Sequence, residues 1–320
     1  MAYFSSSLER GVAGRAYSYG EQLHILKKEI AKADAILVGA GSGLSTSAGY
    51  VYTGERFQKY FYDFVQQYHF PDMYTGGFYP FPTQEAFWGY WCRYIWINRY
   101  APIPKPNVFH DLKELLTDKG YFVLTTNVDH CFQRTGFGKE RLFYTQGDYG
   151  LFQSSRFSWG SVAKHKTYDN EAIIRKMLEA EGITIKKDNA LQMPAPGNLK
   201  MTIPTALVPF CPDEKNAAMT VNLRSDDKFV EDEGWNAAAK RYDAFTERNR
   251  GTKTLYLELG VGWNTPSIIK YNFWQSVADN PRAFYVCINA KDALCGENIV
   301  DRSLCIQEDI GKVLHDAVTF

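Results

Sequence analysis

Apolar and polar positions along this chain of 320 residues follow two periods. Between residues 19 and 33, Leu23, Leu26, Ile30 and Ala33 recur every three to four positions, which is one stripe of a helix. Ala35-Ile36-Leu37-Val38 then runs without a polar break, as strands covered on both faces do, and enters Gly39-Ala40-Gly41-Ser42-Gly43. Helical spacing returns in Phe57, Tyr60, Phe61 and Phe64 and again in Phe87, Trp91, Tyr94 and Ile95. The aromatic segment of about 56–105 therefore reads as a buried helical insertion in preference to an aromatic ligand box. A helix over 108–116 leads to a strand over 120–124, which enters Thr125-Thr126-Asn127-Val128-Asp129. The pattern resumes with a helix near 235–249, strands over 254–259 and 283–288 and a closing helix over 308–318. Helix and strand in alternation predict an α/β fold built on a doubly wound parallel sheet. Residues 151–230 break the rhythm: they are polar, interrupted by Pro194, Pro196, Pro204, Pro209 and Pro212, and show no sheet periodicity. The expected organisation is one discontinuous domain, 1–150 and 231–320, with a smaller domain inserted at 151–230.

Composition narrows the function. The 36 Lys and Arg balance 36 Asp and Glu, so no basic excess exists to bind a phosphate backbone, and nucleic acid is not expected as a partner. A hydrophobic share of 45% excludes disorder. No run approaches the roughly 18 apolar residues of a membrane span, and Met1-Ala2-Tyr3-Phe4-Ser5 lacks the basic-then-apolar order of a signal peptide. The six cysteines never form a Cys-x-x-Cys pair, which fits reduced core thiols. A cytoplasmic protein without a membrane partner is the expectation.

A strand that feeds a glycine-rich turn and then a helix suits a pyrophosphate, because glycines admit close backbone approach and the helix N-terminus offers N–H groups. Gly39, Gly41 and Gly43 stand at that turn, yet the dehydrogenase fingerprint fails. Counted from Gly39 its last position is Leu44, counted from Gly41 it is Thr46, and no acidic residue closes a second strand to hold a ribose.

Several motifs in one order carry a resemblance. Thr125-Thr126-Asn127-Val128-Asp129 with Gly136 resembles the Thr-Gln-Asn-Ile-Asp motif of sirtuins, and Gly39-Ala40-Gly41…Ser45…Gly49 resembles their glycine loop with two extra residues. Gly260-Val261-Gly262-Trp263 and Val286-Cys287-Ile288-Asn289 stand where sirtuins have Gly-Thr-Ser-Leu and the Ile-Asn beside adenosine. The strings Thr-Gln-Gly-Asp-Tyr-Gly (145–150), Asn-Leu-Arg-Ser-Asp-Asp-Lys-Phe-Val-Glu-Asp-Glu-Gly-Trp (222–235) and Gly-Trp-Asn-Thr-Pro (262–266) are similar to the class M sirtuins. The resemblance implies a Rossmann-like sirtuin fold and an NAD-dependent protein mono-ADP-ribosyltransferase. It further implies a lipoylated glycine-cleavage-H-like carrier protein as acceptor, and a macrodomain hydrolase that reverses the reaction.

The departures are as informative. Sirtuin deacylases carry a catalytic His about seventeen residues beyond the motif's Asp, and here that position is Gln146. An imidazole takes a ribose hydroxyl proton near neutral pH, whereas a carboxamide does not. Gln146 therefore favours ADP-ribosyl transfer over a deacylase of low activity, with an NAD glycohydrolase and a non-catalytic NAD or ADP-ribose sensor as rivals. The family's zinc-binding Cys-x-x-Cys pairs are missing: the insert holds only Cys211, Glu214 stands three residues on, and His165 reads as solvated, so no zinc is expected. Tyr52-Thr53-Gly54, with Arg56 beyond, replaces the Phe-Arg pair that follows the family's glycine loop.

The resemblance also assigns roles. Backbone N–H groups at Gly39, Ala40 and Gly41 would cradle the pyrophosphate, with a hydroxyl from Ser42 or Ser45. Asn127 would fix the nicotinamide ribose or a water, and Asp129 the nicotinamide carboxamide, while Gln146 orients the ribose. Gly260, Val261 and Asn264 would contact the adenosine-side ribose and phosphates, with Asn289 beside the adenine. The plainer alternative for Asn127, Asp129, Asn264 and Asn289 is turn and cap duty. His130 is expected to point away from the site, and Cys131 to be a buried thiol.

Overall fold

The computed structural model describes residues 11–158 and 160–320; Met1 to Ser5, read above as lacking the order of a signal peptide, lie outside them. Six parallel strands form one sheet in the spatial order Ser303–Ile306, Phe284–Ile288, Thr254–Leu259, Ala35–Ala40, Tyr121–Thr125, Leu142–Tyr144. In chain order that is 6-5-4-1-2-3, the doubly wound arrangement. The inner strands are apolar throughout because helices cover both faces. One layer includes Tyr19–Lys32, Asn107–Leu115 and Ile310–Thr319; the other includes Glu233–Arg248 and Lys270–Asp279. The first helix starts at a reciprocal cap in which Ser18 accepts from the Glu21 amide and the Glu21 carboxylate accepts from the Ser18 amide. Sequence spacing located all of these helices except Lys270–Asp279, which lies between two strands read as consecutive. It missed the edge strands Leu142–Tyr144 and Ser303–Ile306, of three and four residues, which are too short for any periodicity to register.

The second half of the molecule differs from expectation in two respects. Residues 151–230 do contain a sheet: Gly147–Ser154 pairs antiparallel with Tyr168–Asp169 on one side and Met219–Leu223 on the other. Its rhythm is hidden because the register shifts between Asp148 and Phe152, so side chains on either side of the irregularity lose their common alternation. The aromatic insertion, expected to belong with the parallel sheet, shares a core with this small sheet instead. Phe57, Phe61, Phe64, Trp88 and Tyr90 from helices Gly54–Tyr68 and Gln84–Ile95 pack in one cluster with Phe152, Ile174, Met177 and Val221.

A buried guanidinium ties that cluster together. Arg93 is fully buried and donates to Asp63 at 2.7 and 2.9 Å, to Glu181 at 2.7 Å and to the carbonyls of Tyr60 and Lys200. One positive charge thus faces two carboxylates. Burial pushes the Glu181 carboxyl up to about 8, against the pull of Arg93. Because the folded value lies above the ordinary 4.5, the folded state binds the extra proton between the two. Its stabilisation is therefore complete below about pH 4.5 and is lost as pH rises through about 8. Urea midpoints taken across that window will fall with pH in the wild type, and Glu181→Gln will flatten the fall; parallel slopes would refute the assignment. Arg93→Met, which strands both carboxylates, will cost about 3–5 kcal/mol in the same measurement.

Candidate active site

In a doubly wound sheet the strand order reverses once, and ligands sit outside the carboxyl ends of the strands at that point. Here the reversal falls between Ala35–Ala40 and Thr254–Leu259, so Gly41–Gly43 and Gly260–Gly262 face each other. The two turns interlock backbone to backbone. A Cβ on Gly41 would lie 2.6 Å from the Val261 Cα, and one on Gly43 would lie 2.6 Å from the Gly260 Cα. Gly260 itself has φ +63, the left-handed region that favours glycine.

This interlock changes what the glycines do. The Gly41 amide donates to Leu259 O at 3.0 Å and the Gly43 amide to Gly260 O at 2.9 Å, so neither is free for a phosphate. Gly39 lies within its strand, where the place of a side chain is taken by Ile269 and Phe273. Ala40 is fully buried, and its carbonyl accepts from Thr125 Oγ1 and the Thr126 amide. Expected as a phosphate cradle, the segment 39–41 serves helix and turn packing. The exposed Ser42 opens the short helix Ser42–Ser47, where a first-turn amide has no partner within the helix.

The loop after Tyr121–Thr125 is fastened to that helix by side chains. Asn127 Nδ2 donates to Gly41 O at 2.9 Å and to Ser45 Oγ at 3.0 Å, and Ser45 Oγ donates to Asp129 Oδ2 at 2.5 Å. The other Asp129 oxygen accepts from the Cys131 amide, the cap expected of an Asx residue. With its amino group committed, Asn127 offers the carbonyl Oδ1 to a ligand. Cys131 is buried, as read from the sequence.

These residues line a cleft of two connected chambers. The inner one, about 380 Å³, is bounded by Ser45, Asp129 and five tyrosines, Tyr50, Tyr52, Tyr74, Tyr94 and Tyr149. The outer one, about 590 Å³, brings Gln146 together with Val221, Arg224, Val261, Gly262 and Phe87. Ser42, Asn127, Trp91, Phe78 and the exposed Asn264 border both. Burial holds the Tyr52, Tyr94 and Tyr149 hydroxyls above their usual range, so all three stay protonated. Of the expected residues, Asn289 alone among the asparagines stays outside: its Oδ1 accepts from the Lys291 and Asp292 amides and its Nδ2 reaches Val261 O at 3.4 Å. It fixes the Val261 turn from behind. Arg56 also turns away from the cleft and bridges to Ile97 O and Asn98. A hollow of about 580 Å³ at the opposite end of the sheet, between Glu233–Arg248 and Lys270–Asp279, contains none of these groups.

Sequence reasoning missed the aromatic wall and Arg224. The insertion is mostly core, as expected, but its Trp91 and Tyr94 edge faces the cleft. Period alone cannot separate a helix edge that meets solvent from one that meets a ligand. Arg224 stacks over Phe229 and Trp235 and pairs with Glu231, which holds its guanidinium at the rim. Among the described residues no group of three or more His, Cys, Asp or Glu is placed to hold a metal ion. Cys211 lies 3.5 Å from Tyr168 Oη, and Tyr168 and Lys166 both donate to Asp213. No helix among the described residues is long and apolar enough to cross a membrane.

Comparison with known proteins agrees with this geometry. A protein ADP-ribosyltransferase of Staphylococcus aureus is 33% identical over 299 residues, 93% of this chain and 87% of that one. The chain belongs to the protein ADP-ribosyltransferases of sirtuin fold. The structure of Sir2Tm bound to a propionylated peptide covers 92% of the chain with a TM-score of 0.52 and 17% identity, a likeness of fold. A probable bifunctional ADP-ribose hydrolase/ADP-ribosyltransferase of Fusarium oxysporum is 25% identical over 91% of the chain, which spans 47% of that longer protein. No family model matches. In this ADP-ribosyltransferase the interlocked turns set the floor of the cleft, and Gly43→Ala will push the Gly260 backbone away. Its cost will be about 1–3 kcal/mol in chemical denaturation, with transferase activity lost beyond the loss of folded protein; wild-type stability and activity would show that the turns are not in contact.

Proposed function

We propose that this protein is an NAD-dependent mono-ADP-ribosyltransferase of the class M sirtuin type. The observation that carries the reading is Gln146. It occupies the outer chamber beside Asn127, and no histidine lines either chamber among the described residues. A cleft without an imidazole suits transfer more than deacylation, which needs a proton taken from the ribose.

NAD supplies an ADP-ribosyl group whose bond from C1′ to nicotinamide breaks as the bond from C1′ to the acceptor forms; the acceptor's proton leaves to solvent. The chain's residues bind and orient. Ser42, whose hydroxyl is exposed, furnishes a donor beside the phosphates, while the Ser45 hydroxyl is spent on Asp129, and Asn127 Oδ1 accepts from a ribose hydroxyl or a held water. Asp129, fixed by Ser45 and the Cys131 amide, receives the carboxamide in the inner chamber, where the tyrosine walls exclude water. Gln146 orients the ribose by hydrogen bonding. Gly260, Val261 and Asn264 border the adenosine side.

The acceptor we assign is a lipoylated carrier protein. In support, Tyr74, Phe78, Phe87, Trp91, Val221 and Leu223 give the outer chamber an apolar wall that suits a long acyl arm. A macrodomain hydrolase is the assigned reversing partner, an idea supported by the paired activities in the name of the Fusarium relative. The reaction is assigned to the cytoplasm and requires no zinc.

Intact-mass spectrometry of a lipoylated carrier after incubation with NAD and the enzyme tests this. The wild type will add one ADP-ribose unit, and Asn127→Ala and Gln146→Ala will each lower the rate about a hundredfold or more. Nicotinamide release without a mass gain would replace the reading with a glycohydrolase. Binding of NAD with neither product would leave a sensor, and loss of an acyl group from an acylated peptide would restore the deacylase.

A further inference from the structure

His130 was expected to face away from the site, and it does not line the cleft; yet it is joined to the cleft's framework. Its backbone is held at φ +64, in the left-handed region, which is uncommon for residues with a side chain although His, Asn and Asp enter it more than most. Its Nδ1 lies 2.5 Å from Asp148 Oδ2. The Asp148 carboxylate is buried, and its other oxygen accepts from Arg99 Nε at 2.8 Å and from the Gly150 amide at 2.7 Å. Burial alone would raise this carboxyl, but the His130 bond and the Arg99 charge outweigh it and hold Asp148 below the usual range.

Three segments therefore meet on one carboxylate. His130 ends the loop that bears Asn127 and Asp129. Asp148 follows Gln146 by two residues. Arg99 belongs to the turn Trp96–Tyr100 at the end of the aromatic insertion. Backbone bonds also join the two segments: the Tyr149 amide donates to Val128 O at 2.9 Å and the Thr145 amide to Thr125 O at 2.9 Å. Those bonds act through the main chain at Thr125 and Val128; His130 adds a side-chain tie at the far end of the loop, beyond Asp129.

We propose that His130 is a positioning residue of this transferase: clamped to Asp148, it fixes the Asn127–Asp129 loop against the strand that carries Gln146. The inference rests on the transferase reading above. The full-length enzyme is compared with His130→Gly, which accepts the positive φ without strain and removes only the ring, and with Asp148→Asn and the double variant. Nicotinamide release will fall about 10- to 100-fold per folded molecule in His130→Gly, while KM for NAD stays within about threefold. The double variant will be no slower than the slower single one, because both substitutions break the same clamp. Should His130→Gly fail to fold, His130→Asn, which also tolerates positive φ, takes its place. Amide hydrogen exchange gives a readout independent of turnover: the Tyr149 and Cys131 amides will exchange faster in His130→Gly. Unchanged exchange, an unchanged kcat or losses that multiply in the double variant would each overturn the positioning role. A wild type that releases no nicotinamide would sink the transferase reading instead and leave the exchange result to judge the clamp.

Discussion

The meeting of two backbone turns without side chains between them is the constraint on which the site depends. Gly43 and Gly260 touch through their α-carbons, and the Gly43 amide is satisfied by the Gly260 carbonyl. No other residue type allows this approach, because a Cβ on either side would sit inside the partner's backbone. The consequence spreads along both chains. Gly41 O, fixed by the same contact, accepts from Asn127; Asn127 then places Ser45, and Ser45 places Asp129. A steric fact about two glycines becomes a polar arrangement three residues deep.

Underneath the Gly260 turn lies a second fixed point. Lys270 and Glu258 are both fully buried and bonded at 2.5 Å, and the second Glu258 oxygen accepts from Tyr285 Oη at 2.6 Å. A buried pair of this kind contributes little net stability but is costly to half-remove. Trp263 rests over the Lys270 ammonium, which links the pair to the loop that carries Asn264. The site is thus braced on one face by the Asp148 clamp and on the other by a charge pair, and neither reaches the cleft itself.

Much of the parallel sheet was legible because its strands are continuous apolar runs separated by amphipathic helices, two signals that survive without tertiary information. The order of the motifs likewise located Ser45, Asn127, Asp129 and Gln146, and all four border one cleft. What could not be read is what depends on pairing partners far away in the chain. The Gly147–Ser154 strand looks irregular because its register breaks opposite Met219–Leu223. Gly39 and Gly41 read as ligand glycines, since a sequence does not reveal whether the atom nearest a glycine belongs to Ile269, to Val261 or to a phosphate. Asn289 resembles an adenosine contact in position, yet its side chain closes an Asx turn. Arg224 and Tyr149 lie within strings that carry the resemblance, but no role attaches to them in sequence; they matter through which face of their element meets the cleft.

The shared core of the aromatic insertion and the small sheet has a consequence for synthesis. Helices Gly54–Tyr68 and Gln84–Ile95 pack Phe61, Phe64 and Tyr90 on one another, and complete the burial of this face, Trp88 included, against Phe152, Ile174 and Val221. A ribosome that has released the first hundred residues has delivered an aromatic surface whose cover is still more than fifty residues away. Until about residue 223 has emerged, that surface stays partly uncovered and Arg93, already able to pair with Asp63, still lacks Glu181. The nascent protein therefore passes through a long interval in which apolar surface that the finished fold covers is exposed to association.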